Sequence, residues 1–212
     1  MNPFPLILSS PSGGGKTAIT RELLALRPDV GYSVSCTTRM PRTGEVDGKD
    51  YYFLGQGEFA SRRERGEFAE SAEVHGKMYG TLRREVDRVL ESGKHVVMDI
   101  DVQGASQFVS AFPMSVLVFI LPPSADVLIA RLTARKTEDR TSLVRRMQSA
   151  LEELRAVARY QYVVTNDKLD HAVTLVSGIV DAEAARRERA LDLDERVGAL
   201  VGELEREIGR DS

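Results

Sequence analysis

Apolar residues in this chain fall in short blocks separated by longer amphipathic stretches. The runs 6–8, 96–100, 116–121 and 162–164 are too short for helices and read as buried strands. Between or after them, the stretches 16–27, 104–111, 125–135, 142–158 and 168–189 repeat apolar positions at helical spacing. Short apolar strands alternating with helices predict an α/β core. Its parallel sheet is joined by right-handed crossovers and covered by helices on both faces.

Two regions break that texture. Residues 33–92 are rich in glycine, charge and tyrosine, which predicts a small α+β insertion. Arg135-Lys136-Thr137-Glu138-Asp139-Arg140 carries three cations between two helical patterns and reads as a loop joining them. The expected division is a core of 1–32, 93–134 and 159–190, the insertion 33–92, a short lid with its following helix at 135–158, and a last helix at 191–212. That helix is amphipathic through Leu191, Leu193, Val197, Leu200, Val201, Leu204 and Ile208, and packs either on the core or on another subunit.

Composition narrows the classes. With 42% hydrophobic and 29% charged residues in 212, the chain suits one globular unit with room for a sizeable core. A net charge of −3 excludes a broad nucleic-acid surface, so any positive field is local. One cysteine, Cys36, allows no intrachain disulfide and fits a reducing compartment. The apolar stretch 4–8 is too short for a secretion signal and follows no basic residue, and no run is long enough to span a bilayer. A cytoplasmic protein without membrane or nucleic-acid partners is expected, with self-association left open. His75, His95 and His171 have no metal-ligand spacing with Cys36.

The first block ends in chemistry. Strand 6–8 runs into Ser9 and then Ser10-Pro11-Ser12-Gly13-Gly14-Gly15-Lys16-Thr17, followed by a helical pattern. This is a phosphate-binding P-loop, G-x-x-x-x-G-K-[ST], in its strand–loop–helix setting. Glycines let the backbone curl with its N–H groups inward, forming an anion cradle at a helix N-terminus. Lys16 is expected at the terminal phosphates of a nucleoside triphosphate and Thr17 at Mg²⁺. Ser10 replaces the first glycine, at an expected cost in backbone freedom. Farther on, the apolar run 96–100 carries Asp99, with Asp101 two residues later. On one strand both carboxylates face the same way, and Asp99 stands where a Walker B aspartate helps hold Mg²⁺.

A second constellation lies in the insertion. Ser33-Val34-Ser35-Cys36-Thr37-Thr38-Arg39-Met40-Pro41-Arg42-Thr43-Gly44-Glu45-Val46-Asp47-Gly48-Lys49-Asp50-Tyr51 sets two arginines three apart, flanked by hydroxyls and a tyrosine. Arginine forks bind phosphate in bidentate fashion. Phe68-Ala69-Glu70 and Met78-Tyr79-Gly80-Thr81 follow. Together with the P-loop, these strings closely resemble the guanylate kinase family, over about four-fifths of the chain and through Asn166-Asp167.

The resemblance implies a P-loop core, a GMP-binding insertion and a lid, acting on ATP and GMP with Mg²⁺. It implies Arg39, Arg42, Tyr51 and Tyr79 as ligands of the GMP phosphate and Ser35, Glu70 and Thr81 as readers of guanine. Asp101 matches an aspartate near the acceptor nucleotide. Arg131 and Arg135, with Arg146 beyond the loop, would stabilise the charge of the moving phosphoryl group. The family's R-L-x-x-R-G-T appears as Arg131-Leu132-Thr133-Ala134-Arg135-Lys136-Thr137, with Lys136 for glycine, and Arg140 stands where an acid is common. Asn166 is either the family's adenine-side residue or part of a strand-end turn in which Asp167 caps a helix.

The chemistry of guanine fits independently. A carboxylate at Glu70 can accept from N1–H and the N2 amine side by side, while a hydroxyl from Ser35 or Thr81 donates to O6. Adenine would leave that carboxylate buried and unpaired. Two alternatives are weaker. A kinase for another small phosphorylated acceptor needs no base readers, and a binding module for phosphorylated peptides needs no Lys16, Thr17 or Asp99.

Overall fold

The computed structural model describes residues 2–74, 76–133 and 140–210, with side chains from residue 143 in the last span. In chain order these form β1 (Pro5–Ser9), α1 (Lys16–Leu26), β2 (Val30–Tyr32), β3 (Cys36–Thr37), β4 (Tyr52–Phe53), α2 (Gln56–Glu64), β5 (Phe68–Val74) and β6 (Lys77–Leu82). Then follow α3 (Arg83–Glu91), β7 (His95–Asp99), α4 (Val102–Ala111), β8 (Val116–Leu121), α5 (Ala125–Thr133) and α6 (Arg140–Arg155). A 3-10 turn (Ala156–Arg159), β9 (Tyr162–Thr165), α7 (Leu169–Ala184), a second 3-10 turn (Arg187–Arg189) and α8 (Leu193–Arg210) complete it.

Five strands form a parallel sheet in the order β2-β7-β1-β8-β9. Alternation within each strand divides the core into two layers. Leu6, Leu8, Val97, Val118 and Ile120 pack with Ile19 and Leu23 of α1 and Ala172, Val173, Val176 and Val180 of α7. Ile7, Val96, Met98 and Leu117 face the other way, onto Val86 and Val89 of α3 and Ala105 and Phe108 of α4. Each fully buried Leu, Ile, Val or Phe here contributes about 1.5–3 kcal/mol. The expected sheet with helices on both faces is present. Its edge strand β2 was not expected, being only VGY with glycine at the centre. Gly31 is there for closeness: a Cβ would stand 2.6 Å from Val89 Cγ1.

A second sheet, β4-β3-β6-β5, combines an antiparallel β5–β6 hairpin with a parallel β3–β4 pair. Cys36, Phe59, Phe68 and Leu82 close its own small core. Burial pushes the Cys36 thiol up to about 12, so it packs as a small apolar residue. Helix α3 lies within the expected insertion, yet its apolar face is buried against the main sheet.

The helical pattern 168–189 divides into α7 and a 3-10 turn around a buried ionic clasp. Arg189 lies over the Phe4 ring at 4.2 Å and donates to Met114 O at 3.0 Å and Glu183 Oε2 at 3.3 Å. Tyr162 donates to Glu183 Oε1 at 2.6 Å, and the Asn2 amide donates to Arg189 O at 3.1 Å. Beyond Asp192, at φ 54°, α8 runs with no buried residue. Its stripe of Val197, Leu200, Val201, Leu204 and Ile208 is exposed. Among the described residues no helix is long and apolar enough to cross a membrane.

Candidate active site

The P-loop joins β1 to α1 at the carboxyl ends of the parallel strands, where such sheets open a crevice. Gly13 and Gly15 adopt φ of 84° and 93°, which side-chain-bearing residues rarely take. Ser10 is different. Among the described residues the sole non-glycine with positive φ is Asp192, so the backbone freedom thought to be lost at Ser10 is not needed there. Ser10 is buried and donates through Oγ to Pro11 O at 3.0 Å. Glycine is required at Gly14 instead, where a Cβ would lie 2.6 Å from Ser10 Cβ.

Asn166 and Arg131 hold this loop from outside the cleft. Asn166 is buried, donates through Nδ2 to Gly14 O at 2.9 Å, and leaves Gly15 no room for a side chain. Arg131 packs against Gly13 and approaches Gly14 O and Asn166 O at 3.5 Å each. Asp167 is not the cap of α7. That position is Lys168, and the Asp167 carboxylate takes the adjoining Lys168 N–H at 2.7 Å, with His171 Nδ1 3.6 Å away.

Thr17 donates through Oγ1 to Asp99 Oδ2 at 2.7 Å, and the Tyr32 hydroxyl donates to Asp99 Oδ1 at 3.0 Å. Asp99 closes β7 and is fixed at both oxygens. Asp101 does not share its strand. It is the N-cap of α4, taking the N–H groups of Gln103 at 2.9 Å and Gly104 at 2.7 Å. The strand ends at Asp99, two residues short of Asp101, because these orphan amides draw the Asp101 carboxylate into a cap. Both aspartates still line one cleft of about 390 Å³. Ser12, Lys16, Thr17, Tyr32, Ser35, Tyr51, Glu70, Tyr79 and Arg146 line it as well.

Glu70 of β5, which lines the same cleft, is buried. Thr81 of β6 stands behind it and donates through Oγ1 to Glu70 Oε1 at 2.7 Å. Burial pushes the Glu70 carboxyl up to about 7, against the pull of Thr81. Gly104 makes the room: a Cβ there would meet Glu70 Oε2 at 2.6 Å. Tyr51 and Tyr79 meet edge to face, with centroids 6.1 Å apart. Arg39 lies over Tyr51 and is forked onto Glu45 at 2.8 and 2.9 Å. Arg42 is exposed, and its amide caps the same carboxylate at 2.8 Å. Arg146 is buried and donates to Leu132 O at 2.8 Å, at the end of α5. Arg135 and Lys136 lie outside the described residues.

Sequence reasoning missed Tyr32, Glu45, Gly104 and Glu153. Glu45 falls inside a recognisable string, whereas Tyr32, Gly104 and Glu153 carry no local signal of what they do. The arrangement offers an anion cradle with a lysine, a hydroxyl–carboxylate pair suited to a hard cation, and a buried carboxylate–hydroxyl pair suited to a base. It can hold two phosphorylated molecules in one cleft.

Comparison with known proteins agrees. The family described as guanylate kinase matches residues 2–183. The chain is 43% identical to a guanylate kinase of Geobacter metallireducens over 186 residues, covering 88% of this chain and 92% of that one. It is 44% identical to one from Thermotoga maritima over 190 residues, covering 90% and 92%. A crystal structure of guanylate kinase from Anaplasma phagocytophilum superimposes with a TM-score of 0.76 at 33% identity, covering 91% and 92%. A match spanning both the nucleotide loop and the sheet that carries Glu70 settles the kinship: this chain belongs to the guanylate kinase family.

Proposed function

We infer that the chain transfers the γ-phosphoryl group of ATP to GMP, giving ADP and GDP. The observation that carries the acceptor is Glu70, a buried carboxylate held by Thr81 in the cleft that Lys16 also lines. In this reading Glu70 takes guanine N1–H and the N2 amine and Ser35 donates to O6, while Thr81, whose hydroxyl proton is already on Glu70, reads the base only by orienting that carboxylate. Arg39, Arg42, Tyr51 and Tyr79 hold the GMP phosphate, with Asp101 at the acceptor side. Arg39 exchanges its fork on Glu45 for phosphate, one charge-assisted pair for another. The loop 10–17 cradles the ATP phosphates, and Asn166 sets the loop from the adenine side.

Catalysis is positioning and charge stabilisation, with a GMP phosphate oxygen attacking the γ-phosphorus in line and no covalent enzyme intermediate. Lys16, Arg131, Arg135 and Arg146 carry the charge. Thr17 Oγ1 and Asp99 suit Mg²⁺, a hard cation that takes oxygen donors. Among the described residues no three carboxylate, histidine or cysteine ligands come together, so Thr17 and Asp99 are the residues that would hold the ion. The metal, when bound, neutralises charge building between the phosphates.

The same reading places the protein in the cytoplasm, where its one cysteine stays reduced. Self-association would cover the exposed stripe of α8. Purified protein, ATP and each nucleoside monophosphate in turn test the activity through ADP release. GMP is expected to be turned over far faster than AMP, CMP or UMP, and Lys16→Ala to abolish turnover with an unchanged melting temperature. Equal rates on AMP, or a tenth of the activity left in Lys16→Ala, would overturn it.

A further inference from the structure

We propose that Glu153 of α6 is a positioning residue for the nucleotide loop. It fixes the Ser12 amide and thereby ties the loop to the helix that carries Arg146. The Ser12 N–H donates to Glu153 Oε2 at 2.9 Å, across 141 positions of sequence. A loop amide needs an acceptor, and this one finds it on another element while Gly14 N–H turns back to Pro11 O at 2.8 Å.

The contact matters because of how α5 and α6 are attached. Leu128, Leu132 and Ala150, with Leu143, Met147 and Leu154, form a cluster of their own, separate from both layers of the main core. Arg146 is bonded within that pair, to Leu132 O. The pair meets the loop through Arg131, at 3.5 Å, and through Glu153, whose shorter contact is charge-assisted. Glu153 also lines the cleft with Lys16, Asp101 and Arg146. Burial raises the Glu153 carboxyl, while the Ser12 amide and then Lys16 favour its charged form.

Two consequences separate the acceptor from its charge. Deleting the carboxylate frees the Ser12 amide and loosens the loop against α6. Replacing it by an amide keeps a carbonyl acceptor and removes a negative charge that opposes incoming phosphate. The proposal rests on ATP occupying the loop, and the test separates the two claims. Wild-type turnover of ATP with GMP checks the reading of the loop. Glu153→Ala and Glu153→Gln, compared in the full chain, check the positioning.

In Glu153→Ala, KM for ATP is expected to rise roughly ten-fold, with KM for GMP within about two-fold of wild type. In Glu153→Gln, KM for ATP should lie at or below the wild-type value. Hydrogen exchange without nucleotide should quicken across 10–17 in the alanine variant and not in the glutamine variant. That measurement holds even if turnover fails for another reason. The proposal is overturned if Glu153→Ala leaves KM for ATP and exchange unchanged, if both KM values rise together, or if glutamine is as damaging as alanine.

Discussion

Glu70 is under two demands that pull its proton in opposite directions. Burial favours the neutral acid and lifts its pKa to about 7, whereas guanine, with two donors to satisfy, needs the carboxylate. GMP binding should therefore release a proton near neutrality, and KM for GMP should fall as pH rises from about 6 to 8. Stability runs the other way. The unfolded chain gives up this proton near 4.5 and the folded chain near 7, so the native state loses stability as pH climbs between them. The loss, complete above about 7, amounts to about 3 kcal/mol by linkage. Glu70→Gln should melt above wild type at pH 8, and this gain should vanish near pH 4. Its kcat/KM for GMP should fall by about 2–4 kcal/mol with KM for ATP unchanged. Unaltered GMP kinetics would remove Glu70 from the acceptor site. This residue was legible in the sequence because it sits in a fixed string with Thr81 eleven positions on. Gly104 was not, because its purpose is only to be absent from the space that Glu70 fills.

Whole elements were legible where periodicity had room to speak. Strands β1, β7 and β8 are buried on both faces and read as continuous apolar runs, and the edge strand β9, buried only at Val164, still reads as one through Tyr162-Val163-Val164. Strand β2 and the two-residue strands β3 and β4 are shorter than any period, and tertiary pairing makes them. The error at Asp101 has the same origin. Two carboxylates spaced by two look like one strand face until the amides of the next helix claim one of them. Removing that cap with Asp101→Ala should cost about 1 kcal/mol, read as a lower melting temperature. Asp101→Asn keeps an acceptor for Gln103 and Gly104 and should melt near wild type. Any loss of GMP turnover in Asp101→Asn then belongs to contact with the acceptor and not to the helix. An asparagine variant as unstable as the alanine one would contradict the cap.

At the scale of the molecule, the parallel sheet presents the nucleotide loop, the second sheet presents Glu70, and one cleft lies along both. The buried clasp at the base of α8 belongs to this scale too, for it fastens the segment before β1 to the segment between α7 and α8. Glu183 is satisfied by Tyr162 and Arg189, and Arg189 is seated on Phe4 of the region leading into β1. A chain stopped after Ala190 retains all of these groups. One stopped after Ala185 strips Glu183 of Arg189 and uncovers Phe4. Breaking a buried ion pair from one side costs about 3–5 kcal/mol. The longer truncation product should melt close to the full chain and keep its turnover, and the shorter should melt many degrees lower, as a thermal scan will read. Equal melting of the two would mean that the clasp is ornamental. The practical corollary concerns handles. A tag or fused domain hung from α8 rides on a helix that buries nothing, whereas one placed before Asn2 pulls on an amide already bonded to the Arg189 carbonyl.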